Sequence, residues 1–239
     1  MSESSGADKA LVAGQPGIDR AIQRLRDFGF VPTAIIDVGA YEGGFGEEAS
    51  HAWPDAYVVL VEANPAMIPK LEIVRECIGS HKCIVLPVLV LDRRYSTVPF
   101  YQMEGGSGVF YELTSFPRNK LQLPATTLEN ILKPIALPPG PWFLKLDIQG
   151  AEVPALCGLG SENWKNVEVI YMEVSTIEYC KGAPLFAEVV AYMARQGMLV
   201  FDIGSMWFRE TDKVLFQVDL VFVKKESVLR EQKQVWKNE

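Results

Sequence analysis

Four carboxylates stand in the same local setting, each closing an apolar run. Asp37 follows Ala34-Ile35-Ile36, and Glu62 follows Tyr57-Val58-Val59-Leu60-Val61. Asp147 follows Trp142-Phe143-Leu144-Lys145-Leu146, and Glu173 follows Val169-Ile170-Tyr171-Met172. One strand-end acid alone is usually a cap or a solvated turn residue. Runs of this kind read as buried parallel strands, and open parallel sheets bind ligands beyond their carboxyl ends. Four acids gathered on that edge suit a cationic or hydroxyl-rich ligand.

Asp37 leads directly into Val38-Gly39-Ala40-Tyr41-Glu42-Gly43-Gly44-Phe45, where glycines let the backbone turn tightly before a helix that starts near Gly43. A dinucleotide turn, G-x-G-x-x-G, sets a pyrophosphate over a helix N-terminus. Here the spacing is G-x-x-x-G-G and a carboxylate precedes it, an awkward neighbour for pyrophosphate. S-adenosylmethionine has no phosphate and carries a sulfonium and an ammonium, so an anionic turn suits it better than NAD. A structural Asp37 without any ligand is the competing interpretation. Glu62 lies about 20 residues beyond the turn, where an acid reaches ribose hydroxyls; it could instead favour the dipole of the next helix. Asn64-Pro65 predicts that this helix is capped by Asn64 and opens at Pro65.

At 239 residues, 49% hydrophobic and a mean hydropathy of +0.09, the chain can bury one substantial core. The expected layout is a single domain over 16–225, a disordered segment over 1–15 and a polar tail over 226–239. A net charge of -7 and a pI near 5.1 argue against a nucleic-acid surface. Arg93-Arg94 reads as a solvated loop. No signal peptide and no long apolar span are apparent, so a cytoplasmic protein away from the membrane is expected. Cys77, Cys83, Cys157 and Cys180 form no C-x-x-C pair, which speaks against zinc and a disulfide framework and fits reduced, mostly buried thiols. His51 and His81 are expected at the surface. Self-association into a homo-oligomer stays open.

Ile18, Ile22, Leu25 and Phe28 repeat at helical spacing and stop at Gly29, a natural C′ residue. Strands at 34–38 and 57–62 then alternate with helices, which predicts a parallel sheet covered on both faces. A strand over Cys83–Leu91, an extended piece at 98–101, strands at 142–147 and 169–173 and a helix near Leu185–Gln196 follow. Strands at 199–203 and 215–223 have no helix between them and should pair antiparallel. From Met103 to Pro141 the pattern is irregular apart from Thr126-Thr127-Leu128-Glu129, which reads as a capping box. Gly105-Gly106-Ser107-Gly108 lies within it, where a lid or substrate loop would sit; a surface meander is the alternative.

Taken in order, DVGAYEGGF at 37–45, VEANP at 61–65, TLENIL at 127–132, LKLDIQGAE at 144–152 and QVDLVFVKK at 217–225 resemble the FkbM family of S-adenosylmethionine-dependent methyltransferases. The resemblance implies an α/β, three-layer Rossmann-like fold with a mostly parallel seven-stranded sheet and an antiparallel last strand. It implies that Asp37, Gly39, Ala40, Tyr41, Gly43 and Phe45 hold the methionine part of the cofactor. Glu62 and Ala63 would border the ribose, Asp92 the adenine, and Asp147 the sulfonium and substrate. The family's usual D-x-E-G-A-E has Gln149 in place of its first Glu. The acceptor implied is a small-molecule hydroxyl on a sugar or secondary metabolite, chosen by Ser107, Phe110, Tyr111 and Gln149. Asp147, Glu152 and Glu173 are the candidate catalytic acids, with Asp147 favoured. The same three could ligate a hard cation, but no spacing compels one and no metal is expected. An NAD-dependent oxidoreductase and a non-catalytic cofactor-binding or scaffold protein are the alternatives.

Overall fold

The computed structural model describes residues 17–103 and 105–231. The expectation of disorder over 1–15 and the end of the predicted tail lie outside the described residues. Within 226–231 the chain is still packed: the turn Val228–Arg230 buries Leu229 in the core.

Helix α1 (Ile18–Asp27) ends as its sequence requires. Gly29, at a φ of 83°, donates to the Arg26 carbonyl, and Phe30 N–H to that of Leu25. These two bonds satisfy carbonyls that the last turn leaves open. Strand β1 (Ala34–Val38), helix α2 (Gly44–Ala52), β2 (Tyr57–Glu62), α3 (Ile68–Ile78) and β3 (Cys83–Pro87) follow in strict alternation. Helix α3 starts three residues later than Asn64-Pro65 predicts. The Asn64 Oδ1 accepts the Ala66 N–H at 3.1 Å, closing a side-chain turn ahead of the helix rather than capping it.

The predicted strand over 83–91 breaks at Val88. Its N–H donates to the Glu62 carbonyl, and the chain then leaves for a second sheet made of β4 (Leu89–Val90), β5 (Tyr95–Gln102) and β6 (Asn119–Thr126) in the order β4-β6-β5. Strand β6 falls inside the stretch that reads as irregular. It tolerates Pro124 because β4 pairs only with Ala125 and Thr126, so the missing N–H interrupts no ladder on that side.

Helix α4 (Leu128–Leu132) is capped by Thr127, whose Oγ1 accepts the Asn130 N–H at 3.2 Å. The predicted box is therefore displaced by one residue and lacks its reciprocal glutamate. Strand β7 (Trp142–Leu146), helices α5 (Glu152–Cys157) and α6 (Ser161–Asn166), β8 (Val167–Ser175), α7 (Phe186–Arg195), β9 (Met198–Phe208) and β10 (Leu215–Lys224) complete the chain.

The main sheet has seven strands in the order β3-β2-β1-β7-β8-β10-β9. Strand β10 is antiparallel to both of its neighbours, so the last strand is inserted between β8 and β9 rather than added at the edge. Alternate residues feed two core layers: Ile36 and Val38 pack with α4, α5 and α7, whereas Ile35 packs with α1, α2 and α3. Strand order reverses between β1 and β7, where Val38 pairs with Leu146. Side chains beyond those two strands face a crevice that no crossover covers.

Candidate functional site

The crevice holds a cleft enclosing about 860 Å³, part of it open to solvent. Its walls come from the ends of β1, β2, β7 and β8, from Val88–Val90, and from the 105–109 segment joining β5 to β6. Gly39, at a φ of 80°, forms the floor. A Cβ there would fall 1.9 Å from the Asp147 carbonyl oxygen, so only glycine lets these strand ends meet.

Glu62 is the polar centre of one end. Its Oε2 accepts the Tyr41 N–H at 2.8 Å and its Oε1 the Asn64 N–H at 2.7 Å. Tyr41 takes a left-handed φ of 50° to present that N–H. Burial pushes the Glu62 pKa up, while the backbone N–H donors oppose the shift. A carboxylate has about four acceptor positions, so two remain for a ligand's hydroxyls. Val61, Ala63, Val88, Leu89 and Val90 supply an apolar wall beside it.

At the other end Asp147, Gln149 and Glu173 form one hydrogen-bonded unit. Gln149 Nε2 donates to Asp147 Oδ1 at 3.2 Å and to Glu173 Oε1 at 3.1 Å, and Gln217 Nε2 donates to the same Glu173 oxygen at 2.7 Å. Burial, then the charges of Asp147, Glu152 and Asp219, hold the Glu173 pKa well above the usual carboxylate range against the pull of Lys145.

Several predicted site residues do not line the cleft. Asp37 is fully buried and does not line the cleft; Lys145 Nζ lies 3.1 Å from its Oδ1, 3.2 Å from the Gly39 carbonyl and 3.5 Å from Asp147 Oδ2. Burial raises the Asp37 pKa and the ammonium opposes it. Ala40 and Phe45 are core residues, and Gly43 packs against Val74 as the left-handed cap of α2. Glu152 is buried outside the cleft, its Oε1 accepting the N–H groups of Ile148 and Gly150 at 2.9 and 3.2 Å; burial pushes its pKa to about 7. Asp92 is not brought to the cleft either: it accepts the Tyr95 hydroxyl at 2.9 Å beside a separate surface depression.

In the predicted substrate segment, Ser107 lines the cleft and accepts the Met103 N–H at 2.9 Å. Phe110 and Tyr111 do not. Phe110 packs beneath the small sheet, and Tyr111 lies edge-on to Tyr101 with the Arg118 guanidinium 4.5 Å from its ring centre.

Sequence reasoning missed Asn64, whose Oδ1 also accepts from Gln102 Nε2 at 2.7 Å, tying the turn after β2 to the small sheet. It missed Lys145 and Gln217 too. A lysine inside an apolar strand was the available sign for Lys145; nothing in the sequence distinguishes Gln217. His51 and His81 are exposed as expected, whereas only Cys83 and Cys180 of the four thiols are buried. Among the described residues no cluster of His, Cys, Asp and Glu is arranged to hold a metal, and no helix is long and apolar enough to cross a membrane.

An open α/β sheet with its ligand crevice at the switch point and acids on both sides is a Rossmann-like arrangement. The chain belongs to the methyltransferase FkbM domain family, whose model matches residues 37–200. Among solved structures it is similar to methyltransferase FkbM from Methylobacillus flagellatus KT, at 13% identity and a TM-score of 0.50 over 79% of this chain. The chain spans 43% of the length of that structure. It is also similar to the magnesium protoporphyrin IX methyltransferase of Synechocystis PCC 6803, at 10% identity and a TM-score of 0.49, covering 87% of this chain and 77% of that one. No curated protein matches the sequence.

Proposed function

We propose that this chain is an S-adenosylmethionine-dependent methyltransferase acting on a hydroxyl of a small molecule, a sugar or secondary metabolite. Membership of the family supports methyl transfer, and Glu62 is the observation that carries the choice of cofactor. It sits in the cleft with each oxygen fixed by a backbone N–H, beside an apolar wall, and has acceptor positions left for the two hydroxyls of a ribose.

The residues present fit the group. Gly39 lets the ends of β1 and β7 approach closely enough to form the floor, which a side chain there would prevent. Glu62 would hold the ribose, Val88–Val90 would flank the adenine in place of Asp92, and Asp147 would face the cationic amino-acid end. When bound, the cofactor supplies an electrophilic methyl group on a sulfonium. The protein's part is to align the acceptor with that methyl, exclude water and receive the acceptor's proton. Against the NAD alternative, Gly43 and Gly44 at the start of α2 do not line the cleft, so its N-terminus offers no seat to a pyrophosphate there.

Incubation with methyl-labelled S-adenosylmethionine and a panel of glycosides, polyols and phenols tests the reaction, with NMR locating the label. The expected product is a methyl ether. Label on nitrogen or carbon would overturn the hydroxyl acceptor, and cofactor binding without transfer to any acceptor would favour a non-catalytic protein.

A further inference from the structure

We propose that Glu173 takes the proton of the acceptor hydroxyl, and that Gln149 and Gln217 are positioning residues that hold its carboxylate for that step. This rests on the methyl-transfer reading above. The cleft's carboxylates differ in which oxygens already hold partners. Glu62 lies at the other end of the cleft, where its remaining acceptor positions are assigned to the ribose. Asp147 is engaged on both sides, by Gln149 at Oδ1 and by the Lys145 ammonium at Oδ2. Asp37 and Glu152 do not line the cleft. Glu173 does, and both of its amide donors converge on Oε1. No hydrogen bond to its Oε2 is formed among the described residues, and the residue lines the cleft. That oxygen is free to accept a proton.

The clamp is specific in its chemistry. Two amides fix the carboxylate without neutralising it, whereas an ammonium in contact would take up the negative charge on which a base depends. Gln149 holds a left-handed φ of 55°, a strained state for a side-chain-bearing residue, and from there its single amide spans Asp147 and Glu173. A glutamate, as in the family's usual motif, could supply no N–H₂ and would place a third carboxylate between two others. The groups around Glu173 are Lys145 of β7 and Asp147 just beyond it, Glu152 of α5, Asp219 of β10, and Tyr179 and Cys180 of the loop after β8. Burial and the surrounding acids raise its proton affinity, which makes it a stronger base than an exposed carboxylate. In the step, the acceptor O–H proton passes to Glu173 Oε2 as the oxygen's electron pair forms the new bond to the methyl carbon. The carbon–sulfur bond breaks with its pair going to sulfur. The products are a methyl ether, S-adenosylhomocysteine and protonated Glu173, which returns its proton to solvent.

The test compares binding of S-adenosylhomocysteine with that of sinefungin, which carries an amine where the methyl would be. Wild-type protein should prefer sinefungin. Glu173→Gln should lower that preference about tenfold, with S-adenosylhomocysteine affinity within about twofold of wild type and a cooperative melting transition retained. Asp147→Asn should weaken both ligands alike. In wild type the preference should rise with pH as Glu173 loses its proton. Gln149→Leu and Gln217→Leu, which remove a donor to the carboxylate without adding charge, should each move that midpoint upward by about one pH unit. Should Glu173→Gln fail to fold, Glu173→Asp, which withdraws the carboxylate by one methylene, should show the same loss of preference. A full sinefungin preference in the Glu173 variants, or its loss in Asp147→Asn instead, would overturn the assignment. Unmoved midpoints in the two leucine variants would overturn the positioning roles. Failure of wild-type protein to bind S-adenosylhomocysteine would overturn the methyl-transfer reading itself.

Discussion

Lys145 links the core to the site, because its buried ammonium contacts Asp37, the Gly39 carbonyl and Asp147 together. Removing one member of a buried pair leaves an uncompensated charge, which typically costs about 3–5 kcal/mol. Lys145→Met should therefore lower unfolding free energy by about that amount in denaturant titration, and adding Asp37→Asn should recover much of it. Equal loss in single and double variants would show that the damage comes from packing rather than charge. Glu62→Gln keeps the shape of the side chain but not its charge, and calorimetry should show S-adenosylhomocysteine binding weakened by roughly 10–100-fold. Glu62, Gly39, Tyr41 and Asp147 were legible as cleft residues because each sits at or just beyond the end of a β-rich run. Asp37 looked equivalent to Glu62, yet the sequence could not show that Lys145, 108 positions away, seals it into the interior. Phe110 and Tyr111 lie outside the cleft, which the sequence does not show, because aromatic residues in a glycine-rich segment fit a substrate wall and a packed loop equally well.

Strands of the main sheet were readable because burial on both faces demands nearly continuous apolar residues, and β1 and β7 are buried at every position. Strand β6 gave no such sign. Four of its eight residues, Asn119–Thr126, are exposed and one of them is Pro124, so it lacks a continuous apolar run and is fixed by pairing with β5. The same pairing turns the 103–118 stretch into the connection of a hairpin and carries Gly106, Ser107 and Gly108 against Gln149 and Asn64. The short helix α4 relies on its cap, since five residues form few internal bonds. Thr127→Ala should lower stability by about 1 kcal/mol and the melting temperature by roughly 2–4 °C. No change on calorimetric melting would mean that packing of Leu128 and Leu132 alone fixes the helix.

Gathering acids beyond one sheet edge has a consequence for the molecule's response to pH. Burial raises Glu152 from 4.5 to about 7 and Asp219 from 3.8 to about 6, and raises Glu62 and Glu173 as well. Between about pH 4 and 7 the folded chain therefore binds more protons than the unfolded one. Stability from these groups is complete below their unfolded values and is lost as pH rises through the folded ones. Glu152 alone should account for on the order of 3 kcal/mol of that loss. Denaturation midpoints measured from pH 5 to 8 should decline, and Glu152→Gln, which keeps an acceptor for the Ile148 and Gly150 N–H groups, should flatten the decline. A profile unchanged by that variant would show that Glu152 titrates near its ordinary value. A bound cationic ligand would ease the same crowding of charge, as the proposed cofactor would. Calorimetry of wild-type protein with S-adenosylhomocysteine and with NAD, each repeated on Glu62→Gln, tests this most directly. S-adenosylhomocysteine should bind, NAD should not, and the variant should lose most of the affinity; tight NAD binding with no response to S-adenosylhomocysteine would contradict the proposed cofactor.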